Sequence, residues 1–154
     1  FHLAFGYEDP AHGMAANMGH YLRERFGSRY YALGLELGEG TYLARAVQPD
    51  NTLGDFRIGA VSRGKEVSLS NDLERVGLDA LLLDLRCPAS SAVRQWLSTP
   101  RALHAISWVY RESANPYTER ELRNTCDGIA FFRYTHPTTP TRNAQLSVAA
   151  RTAY

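Results

Sequence analysis

A chain of 154 residues, 44% apolar with 17 Lys plus Arg against 16 Asp plus Glu, can bury one domain's core. Its charge balance sets up no field that would draw in nucleic acid or an anionic membrane surface. No apolar run approaches the ~20 residues of a membrane span and no signal peptide opens the chain, so one cytoplasmic domain over residues 1–154 is expected. The chain starts on Phe1 rather than Met, and further sequence upstream is expected. Lys65 is the one lysine among the cations; arginine in such excess is compatible with phosphate or carboxylate recognition but more often follows from genomic composition bias.

In chain order, residues 1–13 mix aromatics with Gly, Pro and His without a period and read as a strand end and loop. Met14, Met18, Leu22 and Phe26 fall four apart, which predicts a helix with Arg23, Glu24 and Arg25 on its outer side and Gly27 as its stop. The β-rich runs 30–37 and 41–47 around Gly38-Glu39-Gly40 predict a hairpin. Residues 48–54 read as loop and 55–61 as a further strand. Asn71 with Glu74 three residues on predicts a short capped helix ending near Gly77. The apolar run 78–86 reads as a strand buried on both faces. Cys87-Pro88 stops it, and Ser90 or Ser91 caps a helix through Trp96 and Leu97. Residues 102–110 form another candidate strand, 118–126 a helix capped by Thr118, and 128–135 a last strong strand. Alternating strands and short helices imply an α/β fold, a mixed sheet with a β-hairpin and short helices packed on it.

Several chemistries have no support. GxSxG, HExxH, a Walker loop and GxGxxG after a strand are all absent from the sequence. Gly34, Gly38 and Gly40 sit in the hairpin pattern with no following helix, so turn geometry accounts for them better than phosphate binding does. Cys87 and Cys126 form no CxxC unit and no residues have metal-ligand spacing; the two cysteines either pair in an oxidising compartment or stay thiols in a reducing one. The proton-transfer candidates are His2, His12, His20, His104 and His136. His104 lies inside a β run, where a hydrogen-bonded core histidine is the plainer reading. Spacing alone takes the argument no further than an α/β domain.

The order of local motifs adds to this. Met18-Gly19-His20-Tyr21-Leu22-Arg23-Glu24-Arg25-Phe26-Gly27 resembles the MG-x-x-L-x-x-x-[FY]-G helix of the erythromycin esterase family. It is followed, as there, by Tyr30-Tyr31-Ala32-Leu33-Gly34 and by a Gly40-x-Tyr42-x-Ala44 strand start. Leu82-Leu83-Asp84-Leu85-Arg86 is similar to that family's LDLR strand, with Trp96-Leu97 after it. Asp127-Gly128-Ile129-Ala130-Phe131 is similar to its closing strand and leads into Thr138, Thr139 and Pro140. These pieces span residues 18–140. The family's HNxH motif lies a little upstream of the MG helix, and His2-Leu3-Ala4 resembles its second histidine and the residues after it, with Phe1 as the variable position. In a competing alignment His2 is the first histidine, and Leu3 and Phe5 replace the asparagine and the second histidine. A third reading makes His2 an incidental terminal residue.

The resemblance implies an erythromycin-esterase-like fold, present in its C-terminal portion only, and hydrolysis of a carboxylic ester. In the family's best-known cases the ester is a macrolide lactone, and the expected setting is antibiotic resistance. Water activated by histidine would attack the carbonyl, with carboxylates and the HNxH histidines assisting, and no cofactor or metal is expected. His2 is the implied catalytic residue; the principal histidine base and its glutamate partners belong to the family's N-terminal part, which these residues do not include. The implied partners are a small-molecule ester and either the N-terminal segment or another copy of the chain, with no nucleic acid and no membrane. The alternative is a truncated relative that keeps the fold as a non-catalytic binding or assembly module.

Overall fold

The computed structural model describes residues 16–62, 67–87, 90–106, 109–111 and 115–139. Within them the chain is α/β. Helices α1 (Met18–Phe26), α2 (Leu69–Glu74) and α3 (Ser91–Ser98) accompany strands β1 (Leu33–Val47), β2 (Leu53–Val61), β3 (Ala80–Asp84), β4 (Arg101–His104), β5 (Val109–Tyr110), β6 (Tyr117–Arg120) and β7 (Gly128–Thr135). A mixed sheet runs β2-β1-β7-β3, with β5 added beside β1, and β4 pairs with β6 separately.

β1 organises the sheet, and it corrects the expected hairpin. The chain does not turn at Gly38-Glu39-Gly40 but continues as one strand of 15 residues. Its first part pairs parallel to β7, from Leu33↔Gly128 to Gly40↔Thr135. Its second part pairs antiparallel to β2, from Gly40↔Val61 to Val47↔Leu53. The glycines serve close approach of β7 rather than a turn. A Cβ on Gly38 would lie 2.5 Å from the Arg133 carbonyl oxygen, and one on Gly40, at φ +135°, would collide with the Thr135 carbonyl. The hairpin lies one connection later, at residues 48–52. There Asn51 takes φ 66°, and the Gln48 and Asn51 amides donate to Thr52 O and Gln48 O, both at 2.9 Å.

Three other elements differ from expectation. The run 118–126 is not a helix: residues 117–120 extend along β4, with Thr118 opposite Leu103, and only Leu122–Asn124 coil, as a single 3-10 turn. A capping-box pattern carries a helix only when no open strand edge competes for the same backbone groups. The candidate strand 102–110 is two strands in different sheets, β4 beside β6 and β5 beside Arg45 and Ala46 of β1. In α2 the cap is Ser68, whose Oγ accepts from the Asn71 amide at 3.3 Å. Ser90 does cap α3, and β7 covers the expected 128–135.

The core lies on one face of the sheet. Leu69, Leu73, Leu97, Leu103 and Leu122 pack under Ile129 and Phe131, with Trp96, Leu81 and Leu83 half-buried at the rim. The strand register assigns the opposite face to Leu33, Leu35 and Leu37 of β1, Ala130, Phe132 and Tyr134 of β7, and Ala80 and Leu82 of β3. This face is largely open, with Leu35 68% and Leu82 69% exposed. β3 is therefore not buried on both faces as its sequence implied. The pattern was read correctly as chemistry, since the sheet is apolar on both sides, as sheets covered by two layers are. Among the described residues only one layer is present.

Candidate functional site: a buried carboxylate and imidazole beside a tyrosine-lined cavity

Along β1 the core face carries Gly34, Glu36 and Gly38, the reverse of what leucine at every other position suggests. Glu36 is 1% exposed. Its partner is His104, at the end of β4, whose ring Nδ1 lies 2.6 Å from Glu36 Oε1, while the His104 backbone N–H donates to both carboxylate oxygens at 3.3–3.4 Å. The other ring nitrogen, Nε2, lies 3.2 Å from the Ser62 carbonyl at the end of β2. Tyr117 of β6 packs its ring 4.8 Å from the imidazole and donates its hydroxyl to the same Ser62 carbonyl at 3.3 Å.

Donor and acceptor inventory decides what this pair can do. A carbonyl oxygen only accepts, so Nε2 carries a proton, and one further proton lies between Nδ1 and Glu36. Whether that proton sits on nitrogen or oxygen, the pair as a whole is neutral. Both ring nitrogens are committed. With Nε2 already carrying a proton and Nδ1 held on Glu36, His104 offers no free lone pair to take a proton from water, so the arrangement suits a latch joining β1, β2 and β4 rather than a poised general base. This agrees with the hydrogen-bonded core role read from the sequence.

The latch borders a cavity of about 390 Å³ whose lining includes Tyr42, Val61, His104, Tyr110, Arg111 and Tyr117. Burial raises the Tyr42 phenol above its usual pKa, and the Tyr110 hydroxyl beside it adds to the rise. Tyr42 also lies across Gly59 so closely that a Cβ there would meet the ring at 2.5 Å. Among the described residues no three His, Cys, Asp or Glu side chains converge as a metal site.

The motif pieces that carry the family resemblance converge elsewhere, on one structural corner. Asp127, buried just before β7, accepts from the Ala32 amide at 2.8 Å and pairs with Arg23 of the MG helix. Its own amide donates to Ala32 O at 2.8 Å, and its carbonyl accepts from Leu85 N–H at 2.8 Å. Arg23 also lies 5.5 Å from the Tyr30 ring, and Arg86 4.6 Å from Tyr31. Arg86 in turn holds Asp84 in a two-point pair that lowers the Asp84 carboxyl to about 2. Arg23 thus points inward, contrary to the outer side assigned from periodicity, while Met18 and Phe26 are exposed. Periodicity ranks residues by hydropathy and takes no account of a buried carboxylate needing a cation.

Of the sequence candidates, His2 and His12 lie outside the described residues. His20 is exposed on α1, its ring edge-on to Tyr21 at 5.5 Å, and its backbone amide donates to the capping Asn17. His136 is exposed just beyond β7. Neither His20 nor His136 is brought to the latch. Glu36 was missed; the one signal for it was a carboxylate interrupting the run Leu33–Leu37, which reads by alternation as an outward residue.

Cys87 is exposed and Cys126 buried, with no bond between them. Burial pushes the Cys126 thiol up to about 11. A maleimide or aromatic disulfide reagent at pH 8 is expected to titrate one thiol per folded chain quickly and the second only on unfolding; two equally fast thiols would contradict this burial. The folded state favours the neutral thiol. Its contribution, on the order of 2 kcal/mol, is therefore complete below pH 9 and drains away as pH rises towards 11.

The family profile described as erythromycin esterase matches residues 2–135. Two solved structures share the fold: a Bacillus cereus protein, 20% identical over 83% of this chain with a TM-score of 0.69, and a protein described as a succinoglycan biosynthesis protein, 22% identical over 88% with a TM-score of 0.71. The chain spans about 30% of the length of each. No curated protein matches. With a mixed α/β sheet of the same kind as these structures and a profile match over most of its length, the chain belongs to the erythromycin esterase family.

Proposed function

We propose that this chain is the C-terminal part of a carboxylic ester hydrolase, acting on a macrolide lactone or a related ester with water activated by histidine. The observation that carries the reading is the family match beginning at His2, the residue that resembles the HNxH motif. A neutral imidazole can take a proton from water near pH 7, and one such group contributes roughly 10²–10⁴ in rate. His104, with both nitrogens engaged, holds the cavity wall, which leaves the chemistry to His2 and to groups contributed from outside these residues. The mechanism proposed needs no metal or organic cofactor. A macrolide substrate would make antibiotic resistance the biological setting.

The open apolar face of β1, β7 and β3 supports the partner expectation: a second layer supplied by an N-terminal segment or another copy of the chain. Nucleic acid and membrane are not proposed as partners, in keeping with a net charge of +1 and with the absence, among the described residues, of a helix long and apolar enough to cross a membrane. A cytoplasmic setting is part of the proposal, supported by the two unbonded cysteines.

The test is acid release, followed by pH-stat, when the complete gene product meets a panel of aryl esters, small lactones and a macrolide. Turnover of at least one above the buffer rate is expected; no turnover across the panel would contradict the reading. A second reading, a binding module that kept the fold and lost the chemistry, is favoured by the commitment of His104 to structural bonds. It predicts binding of such esters with no hydrolysis.

A further inference from the structure

A second cavity, about 590 Å³, adjoins the tyrosine-lined one and shares Tyr110 and Arg111 with it. Its wall adds Arg57 of β2 and Gln48 of the hairpin turn. The register explains how these side chains meet. Arg57 stands opposite Ala44, Gly59 opposite Tyr42 and Tyr110 beside Ala46, so all share one face of the sheet. On that face small residues form the floor, Tyr42 and Tyr110 stand above it, and Arg57 occupies the outer end. Among the described residues, neither cavity is lined by a carboxylate. Arg111 gives Nη1 to Asn51 Oδ1 at 3.1 Å, a neutral partner that fixes the guanidinium, and among the described residues no carboxylate pairs with it.

We propose that the two cavities form one groove for an ester whose apolar or aromatic body lies against Tyr42, Tyr110 and Tyr117 and whose separate anionic group, carboxylate or phosphate, is held by Arg57 and Arg111. Guanidinium forks match such oxyanions in shape as well as charge, and aromatic walls hold the body of the ligand with little ordering cost. Two cations with no carboxylate beside them among the described lining residues disfavour amine-bearing esters, so anionic esters rank ahead of basic macrolides. As a statement about substrates this rests on the hydrolase reading; as a statement about binding it rests on the groove alone.

The experiment titrates the complete gene product with 4-phenylbutyrate and with its uncharged amide, by calorimetry at low salt. The carboxylate is expected to bind at least tenfold more tightly than the amide and to weaken as salt rises. In R57Q/R111Q the preference is expected to fall below twofold, and in R57K/R111K to persist in part, which separates charge from packing. Equal affinity for acid and amide, or a preference unchanged in R57Q/R111Q, would overturn the groove assignment. If the preference holds while no ester is turned over, the hydrolase reading fails and the groove stands.

Discussion

Replacing Glu36 with alanine is expected to destabilise the chain by roughly 3–5 kcal/mol, the range for removing one member of a buried hydrogen-bonded pair. The carboxylate is 1% exposed and accepts from the His104 backbone as well as contacting its ring. Without it a largely buried amide and a ring nitrogen lose their partners together. Since a domain of this size holds about 5–15 kcal/mol in all, the melting temperature should fall by on the order of 10 °C. Glu36→Gln is the informative control. Its amide can donate to an unprotonated Nδ1 while its oxygen accepts the His104 N–H, leaving Nε2–H on Ser62. A loss of only about 1 kcal/mol would fit a pair that shares one proton, whereas a loss equal to that of alanine would indicate that the full carboxylate charge is needed.

Asp127→Ala should cost about 3 kcal/mol, for a different reason. One carboxylate oxygen satisfies the Ala32 amide and pairs with Arg23, so a single substitution loosens α1 from the start of β1 and leaves a buried N–H without an acceptor. Asp127→Asn keeps an acceptor for Ala32 and gives up the charge, and should lie between wild type and alanine. Arg23→Ala should cost least, about 1 kcal/mol, because the arginine is partly solvated and water replaces its partner. Urea unfolding of the three variants gives the order directly. If Arg23→Ala proved as damaging as Asp127→Ala, the ion pair would outweigh the amide bond and this division would be wrong.

These two positions also show what was legible in the sequence. Asp127 stood in a recognisable motif, yet the reason for that motif, a cap on β1 and a counter-ion for α1, appears only when residues 32 and 127 are adjacent. Glu36 ran against its local pattern. Alternation in Leu33–Leu37 by itself favours the leucines as the inward residues, because a single sequence shows which faces are apolar but not which of two apolar faces is covered. The same ambiguity explains Leu82 and Phe132, buried by pattern and open in the fold. Gly38 and Gly40 misled in the opposite sense, since glycine marks a turn and a close strand approach alike. Elements whose signals are local were read well: the Ser90 cap, the Gly27 stop and the strand 128–135. Thr118–Cys126 had local helix signals and lost them to the edge of β4, a non-local competitor. Of the cavity, no residue but His104 was singled out as a titratable candidate, because its walls come from five strands and the connections between them.

The catalytic assignment separates two histidines, and one comparison tests it: turnover of a hydrolysed ester by His2→Ala beside wild type, with melting curves showing both folded. The account predicts a fall of roughly 10²–10⁴ in kcat with little change in melting temperature. Full turnover by folded His2→Ala would contradict it and return the search for the base to the residues around the cavity.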